Sequence, residues 1–346
     1  MTEQEPLVSI RNLRVNFNTY QGVVKVLNGI DLDIHEREVI GLVGETGCGK
    51  SVTSLAILRL IDYPGEIVEG EVWFQGKNLL ELSEEEMRDI RGNRIAMIFQ
   101  DPTTYLNPVF NIGDQIAEAI ALHQRHLFVG REAERSSPFR RSGFDQAVKE
   151  RVIQVLQLVR MPDPEKVMRQ YPHELSGGMK QRCMIAIGLS CNPDLLIADE
   201  ATTNLDVTIQ AKVLDLMVAL RAETGASMVM ITHDMGVVAE TCDRVAVMYA
   251  GDIVEEADVI SLFDRPSHPY TMGLLEAIPK LHYEEDEELR TIRGTVPNLI
   301  DPPPGCRFHP RCLHATEICQ QEKPRRTRLG PSHFVACHHV HEIHRT

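Results

Sequence analysis

The chain has 346 residues, 43% hydrophobic and 25% charged, which is enough for two or three domains around a sizeable core. A formal charge of −14 argues against broad electrostatic adhesion to nucleic acid or anionic lipid. No apolar run approaches the ~18 residues of a membrane span, and the acidic start Met1-Thr2-Glu3-Gln4-Glu5-Pro6 has the wrong chemistry for a signal peptide.

Residues 7 to 17 alternate, with Leu13, Val15 and Phe17 on one face, which predicts a half-buried strand. A turn at Gln21-Gly22 leads into a second short strand near Val23 to Leu27. An aromatic ring at the end of such a strand suits stacking on an adenine face; Phe17 is the candidate and Tyr20 the runner-up. The apolar run Val39-Ile40-Gly41-Leu42-Val43 predicts a buried strand, and Gly44-Glu45-Thr46-Gly47-Cys48-Gly49-Lys50-Ser51 follows it directly. This is G-x-x-x-x-G-K-S, continued through Val52 into a predicted helix over Thr53 to Leu60. Strand, glycine-rich turn and helix are the context of a phosphate-binding loop. The glycines let successive N–H groups point inward at phosphate oxygens, at the positive end of the helix dipole. Lys50 would reach the β- and γ-phosphates and the Ser51 hydroxyl would ligate Mg²⁺. The pattern implies a nucleoside triphosphate.

Strands are predicted over 66–74 and 94–99, the second ending at Gln100, whose amide would reach Mg²⁺ or an attacking water. After Asp101-Pro102 a largely helical stretch runs to about residue 170. Within it residues 123 to 146 gather Arg125, Arg131, Arg135, Arg140 and Arg141 with Ser, Pro and Gly, and read as a basic surface insertion. Leu175-Ser176-Gly177-Gly178-Met179 precedes another helix and describes a second N-terminus open to an anion. Leu195-Leu196-Ile197-Ala198-Asp199-Glu200 is a buried-strand run ending in two carboxylates. Asp199 suits an outer-shell contact to Mg²⁺, and Glu200 would polarise a water for in-line attack on the γ-phosphate. A helix follows to about Ala222, then the strand Ser227 to Thr232 with His233 at its end, at the edge where ligands gather in open α/β sheets. A hairpin over Val245–Tyr249 and Ile253-Val254 closes the pattern.

Taken together, Gly44–Ser51, Gln100, Leu175–Met179, Leu195–Glu200, Asp206 and His233 resemble the P-loop, Q-loop, signature, magnesium and catalytic strand, D-loop and switch histidine of ATP-binding cassette (ABC) ATPases. Ile98-Phe99-Gln100-Asp101-Pro102, Asp206-Val207-Thr208-Ile209-Gln210 and Ser267-His268-Pro269-Tyr270-Thr271 are similar to the dipeptide/oligopeptide importer ATPases within that family. The resemblance implies an α/β P-loop NTPase fold. Its ABC ATPase core, a RecA-like sheet plus an antiparallel β subdomain, would comprise residues 1–100 and 175–257. A helical subdomain would occupy 101–174 and a small C-terminal cysteine-rich domain 258–346. The resemblance also implies ATP and Mg²⁺ as ligands, with Lys50, Gln100, Glu200 and His233 in the chemistry.

A head-to-tail pair of ATPases, a second copy or a different chain, would sandwich each ATP between the P-loop of one and Ser176-Gly177-Gly178 of the other. Two membrane permease subunits and an extracytoplasmic substrate-binding protein complete the implied assembly, with no nucleic acid and with this chain peripheral on the cytoplasmic face of the membrane. Di- or oligopeptides lead as cargo; nickel or another small solute is the alternative, and a soluble ABC ATPase outside transport the more distant one. Two positions depart from the family pattern: Ala201 stands where proline is usual and Asn204 where alanine is.

An acidic stretch, Glu284 to Glu288, and the breaker run Asp301-Pro302-Pro303-Pro304-Gly305 set off a last segment. It holds Cys306, Cys312, Cys319 and Cys337, spaced C-x₅-C-x₆-C-x₁₇-C. Four such thiols without an export signal suggest a metal site, and the spacing alone leaves zinc and iron–sulfur open. The resemblance to peptide-importer ATPases that carry a 4Fe–4S cluster favours the latter. His338, His339, His341 and His344 read as an unstructured tail rather than a second metal site. Cys183, Cys191 and Cys242 read as small buried residues, and Cys48 as an oxidation-sensitive thiol in the phosphate loop.

Overall fold

The computed structural model describes residues 5–124, 142–201, 206–278 and 292–343. The chain divides into two units, one formed by residues 1–82 and 230–346 and the other by residues 83–229.

In the first unit β1 (Val8–Thr19) and β2 (Gly22–Ile34) form the expected hairpin, longer than its apolar cores suggest. The buried strand β3 (Val39–Val43) follows, then β4 (Gly65–Phe74) and β5 (Lys77–Asn78). Strands β2-β1-β4-β5 make one antiparallel sheet. The alternation of β1 is interrupted where Asn12 takes a φ of 45° and the register shifts between Ile10 and Leu13. A bulge of this kind resets which side chains face inward. Val8, Ile10, Leu13 and Val15 are therefore the buried set, and a further shift between Val15 and Asn16 leaves Phe17 half-buried.

The second sheet of this unit explains the chain's closing segment. β3 pairs in parallel with β9 (Arg244–Tyr249), and β9 pairs antiparallel with β10 (Asp252–Asp258). The expected separate cysteine-rich domain instead adds β11 (Thr327–Arg328) and β12 (Phe334–Val335) to the free edge of β10. An exposed strand edge invites such pairing. One hydrophobic cluster joins Val43, Val247, Tyr249 and Val254 of the sheet with Tyr270, Leu299 and Phe308 from beyond it. Tyr249 meets Phe308 edge-on at 5.0 Å and Tyr270 at 4.7 Å, the geometry aromatic quadrupoles favour. The histidine tail is ordered as far as it is described. His339 lies 2.7 Å from the Thr316 hydroxyl and 2.8 Å from Glu342, and a helical turn spans Val340–Ile343. His344 and the acidic stretch lie outside the described residues.

In the second unit β6 (Ile95–Ile98) and β7 (Leu195–Asp199) pair in parallel. The helix Gly177–Leu189 lies on them, close enough at Gly188 that a Cβ would touch Leu196 and Ile98. Helices Ile112–His123 and Ser142–Leu158 supply the helical stretch, the latter burying Val148, Val152, Val155, Leu156 and Val159 at helical spacing. The second helix begins inside the predicted insertion, so 142–146 is helical. The five arginines read as its basic patch lie outside the described residues. β8 (Ser227–Thr232), buried at all six positions, crosses the boundary between the units in sequence. Among the described residues no helix is long and apolar enough to cross a membrane.

Candidate nucleotide-binding site

The phosphate loop is the turn the sequence predicts, with the helix starting earlier, at Lys50, and running to Ile57. Glycine is required at its start. Gly44 has a φ of 151°, and a Cβ there would sit 2.1 Å from the Met248 carbonyl oxygen. Gly49 caps the helix at φ 108°, and the Thr53 hydroxyl donates back to its carbonyl at 3.0 Å. Lys50 is 5% exposed and folds over the loop, donating to the carbonyls of Gly44 at 2.7 Å and Glu45 at 3.0 Å. Thr46, Gly47 and Ser51 face solvent, while Val52 is half-buried.

The expectation of a reactive Cys48 is corrected. Its side chain is fully buried, and burial pushes the thiol pKa up despite the nearby Lys50 ammonium. A buried, protonated thiol is a poor nucleophile. The same cause pushes Cys183 up to about 12. Of the two aromatic candidates, Phe17 is packed so closely on Gly65 that a Cβ there would meet its ring at 2.8 Å. Tyr20 stands 96% exposed at the hairpin tip.

A second group of predicted residues meets in the other unit. Gln100, two residues past β6, donates its amide to Glu200 Oε2 at 2.7 Å across a sequence separation of 100. Glu200 itself takes a φ of 46°, in the left-handed region that L-residues rarely occupy. Strain of that kind persists only where the surrounding structure over-determines it. Asp199, the last residue of β7, is 9% exposed. Hydrogen bonds from Thr104 and the Thr103 N–H hold Asp101 below the usual carboxylate range and start the turn Pro102–Tyr105. Tyr105 stacks on Phe99 at 4.1 Å.

Ser176 caps its helix, accepting from the Met179 N–H at 3.4 Å, and both Ser176 and Gly177 are exposed. Nothing lies within 4 Å of a Cβ built on Gly177, whereas one on Gly178 would strike Ile209 at 2.7 Å. One glycine leaves the helix end open and the other lets two helices touch. Asp206 caps Val207–Thr224 by accepting from the Ile209 N–H at 3.0 Å. His233 is exposed directly after β8, in the first unit, and Asn204 lies outside the described residues.

The four C-terminal cysteines approach one another without forming a metal-ion site. Burial raises Cys306 to about 12 and Cys337 to about 11, each further raised by the neighbouring thiols, and Cys312 upward as well. The N–H groups of His314 and His339 donate to Cys312 and Cys337 at 3.4 Å, each from two residues on. Such N–H···S contacts suit a ligating thiolate. Among the described residues, however, no group of three or more His, Cys, Asp and Glu side chains is arranged to hold a metal ion.

The ABC transporter family model matches residues 27–203, more than half of the chain. The chain belongs to the ABC transporter family. A second model, for the oligopeptide/dipeptide transporter C-terminal region, matches residues 254–319 of this ABC protein. A probable peptide ABC transporter ATP-binding protein of Sinorhizobium fredii is 48% identical over 97% of the chain and 96% of its own length. The dipeptide transport ATP-binding protein DppD of Bacillus subtilis is 45% identical over 96% of the chain and 94% of its own length. The DppD of Escherichia coli is 42% identical over 96% of both. Among solved structures, the dimeric post-hydrolysis state of the ATP-binding cassette MJ0796, bound to ADP and Pi, superposes with a TM-score of 0.61 at 25% identity. It covers 73% of the chain and 98% of that structure.

The least legible contact lies behind the phosphate loop. Arg311 and Tyr270, 266 and 225 residues from Glu45 in sequence, both bind it. No spacing rule connects positions that far apart, and only the Ser267–Thr271 motif singled out one of them.

Proposed function

We propose that this chain is the ATP-hydrolysing subunit of an importer that carries di- or oligopeptides across the cytoplasmic membrane, bound peripherally at the cytoplasmic face. One observation carries the reading: the region matched by the oligopeptide/dipeptide transporter model shares a hydrophobic cluster with the strand that leads into the phosphate loop.

Lys50 and the loop amides bind the phosphates, with Gly44, Glu45, Thr46, Gly47, Cys48, Gly49 and Val52 shaping the cradle and Tyr20, in place of Phe17, stacking on adenine. Ser51, Gln100 and Asp199 are the residues that would hold Mg²⁺, and the ion would offset the charge of the triphosphate. Glu200 takes the proton of the attacking water, and His233 steadies the γ-phosphate. Ser176, Gly177 and Gly178 close over the nucleotide of a second ATPase, beside Asp206.

The exposed Tyr105, Val109 and Phe110, at 51%, 72% and 52%, support a permease contact just after Gln100. Two permeases and an external binding protein complete the assembly. For Cys306, Cys312, Cys319 and Cys337 we propose a 4Fe–4S cluster, with zinc as the alternative. The cysteine spacing and the two N–H···S contacts support it. A cluster gives anaerobically purified protein a visible absorbance that dithionite bleaches.

The test of the main reading is reconstitution. The ATPase co-purifies from solubilised membranes with two polytopic partners, and in proteoliposomes MgATP drives peptide accumulation. Recovery on ribosomes or DNA instead, with no polytopic partner, overturns it.

A further inference from the structure

An acid inside a phosphate loop is an electrostatic liability, because Glu45 sits one residue from the start of a cradle meant for a polyanion. The structure answers it with Arg311. The guanidinium forms a two-pronged pair with Glu45, Nη1 to Oε2 at 2.6 Å and Nη2 to Oε1 at 3.1 Å. Its remaining donors are spent on the carbonyls of Arg293 at 2.7 Å and of Ile292 and Gly294 at 3.3 Å, with the Tyr249 hydroxyl at 3.4 Å. The Arg311 side chain is 5% exposed, so the pair is held against a packed wall.

Tyr270 completes the clamp. Its buried hydroxyl accepts the Glu45 backbone N–H at 2.9 Å, and burial keeps the phenol protonated. Tyr270 is placed by its own motif: the buried Glu255 takes the N–H groups of Ser267 at 2.7 Å and His268 at 2.8 Å, and His268 caps the helix Pro269–Glu276. Side chain and backbone of one loop residue are thus both gripped from beyond residue 260.

We propose that Arg311 is a positioning residue of the ATP site: it masks the charge of Glu45 and, with Tyr270, fixes the phosphate loop in the shape that accepts a triphosphate. The closing segment of the chain is then part of the nucleotide site. This rests on the ATPase reading above.

The test is a double-mutant cycle on the full chain, read as affinity for MgATP and MgADP. Arg311→Ala weakens MgATP binding about tenfold or more, because it leaves an unpaired carboxylate beside the phosphates. The loss is smaller for MgADP, and it grows at low ionic strength, as charge repulsion requires. In a Glu45→Gln background the same Arg311→Ala change costs less than about threefold. Arg311→Lys keeps a charge but not the two-pronged geometry, and falls between parent and Arg311→Ala. A purely structural Arg311 gives equal losses with and without the Glu45 charge, for both nucleotides alike, and that result overturns the proposal. Should Arg311→Ala fail to fold, the Glu45→Gln/Arg311→Gln pair against Glu45→Gln alone separates the same two outcomes. A parent protein that binds no nucleotide sinks the ATPase reading; a parent that binds beside an unimpaired Arg311→Ala sinks only this one.

Discussion

The phosphate loop, in one unit, and the Gln100–Glu200 corner, in the other, are built in opposite ways. Around the loop most groups already have partners: Lys50 on two carbonyls, Glu45 on Arg311 and Tyr270, and the Cys48 carbonyl on the Gly251 N–H at 2.8 Å. The corner is half-open and strained, with Glu200 at a φ of 46° and an exposed glutamine amide on its carboxylate. Binding a triphosphate needs donors fixed in advance, whereas chemistry needs an acid that can exchange one partner for a water. The loop is therefore a prearranged feature of its unit, while the corner keeps an acid in a strained backbone conformation.

The largest effect expected from breaking the contrast is at the corner. Glu200→Gln lowers phosphate release at saturating MgATP by at least ~100-fold while nucleotide binding is kept; a variant turning over at the parental rate would place the base elsewhere. On the loop side the cost falls on stability. Gly44→Ala meets the Met248 carbonyl at 2.1 Å and loses at least ~2 kcal/mol, read as a lowered urea midpoint.

Acid sharpens the comparison, because it works on the packing behind the loop. Burial lowers the pKa of His268 to about 4, against about 6.5 in the unfolded chain. The unfolded chain takes up a proton that the folded one refuses. Stability from this group is thus complete above pH ~6.5 and falls by about 1.4 kcal/mol per unit as the pH drops toward 4. Urea midpoints measured across that window show the slope, and His268→Gln flattens it. The smallest effect is at the hairpin tip. Tyr20→Ala raises KM for ATP roughly fivefold by removing a stacking face, while Phe17→Ala lowers the melting temperature and leaves KM in place.

How much of this was legible follows from the range of each contact. The phosphate loop and the buried strands that precede Glu200 and His233 are legible because strand and turn are contiguous in the chain. The difference in burial between Phe17 and Tyr20 is not legible in the sequence, because it comes from the shift at Val15–Asn16 and the packing of Phe17 on Gly65. β11 and β12 have two residues each, too few to show any period, so their addition to β10 was hidden and the tail looked independent. The Arg311–Glu45 pair spans 266 residues and joins two side chains that each look ordinary alone. Gln100 and Glu200 could be placed at strand ends, but their 2.7 Å contact is a product of β6 and β7 lying side by side.

The sealing of Cys48 has a practical consequence. A maleimide added to the folded protein finds that sulfur closed off, and labels it only when the cradle around it opens. The residue is thus a native reporter: its labelling rate, read by peptide mapping apart from the less buried Cys242, Cys306, Cys312 and Cys337, times the opening of the loop with and without nucleotide.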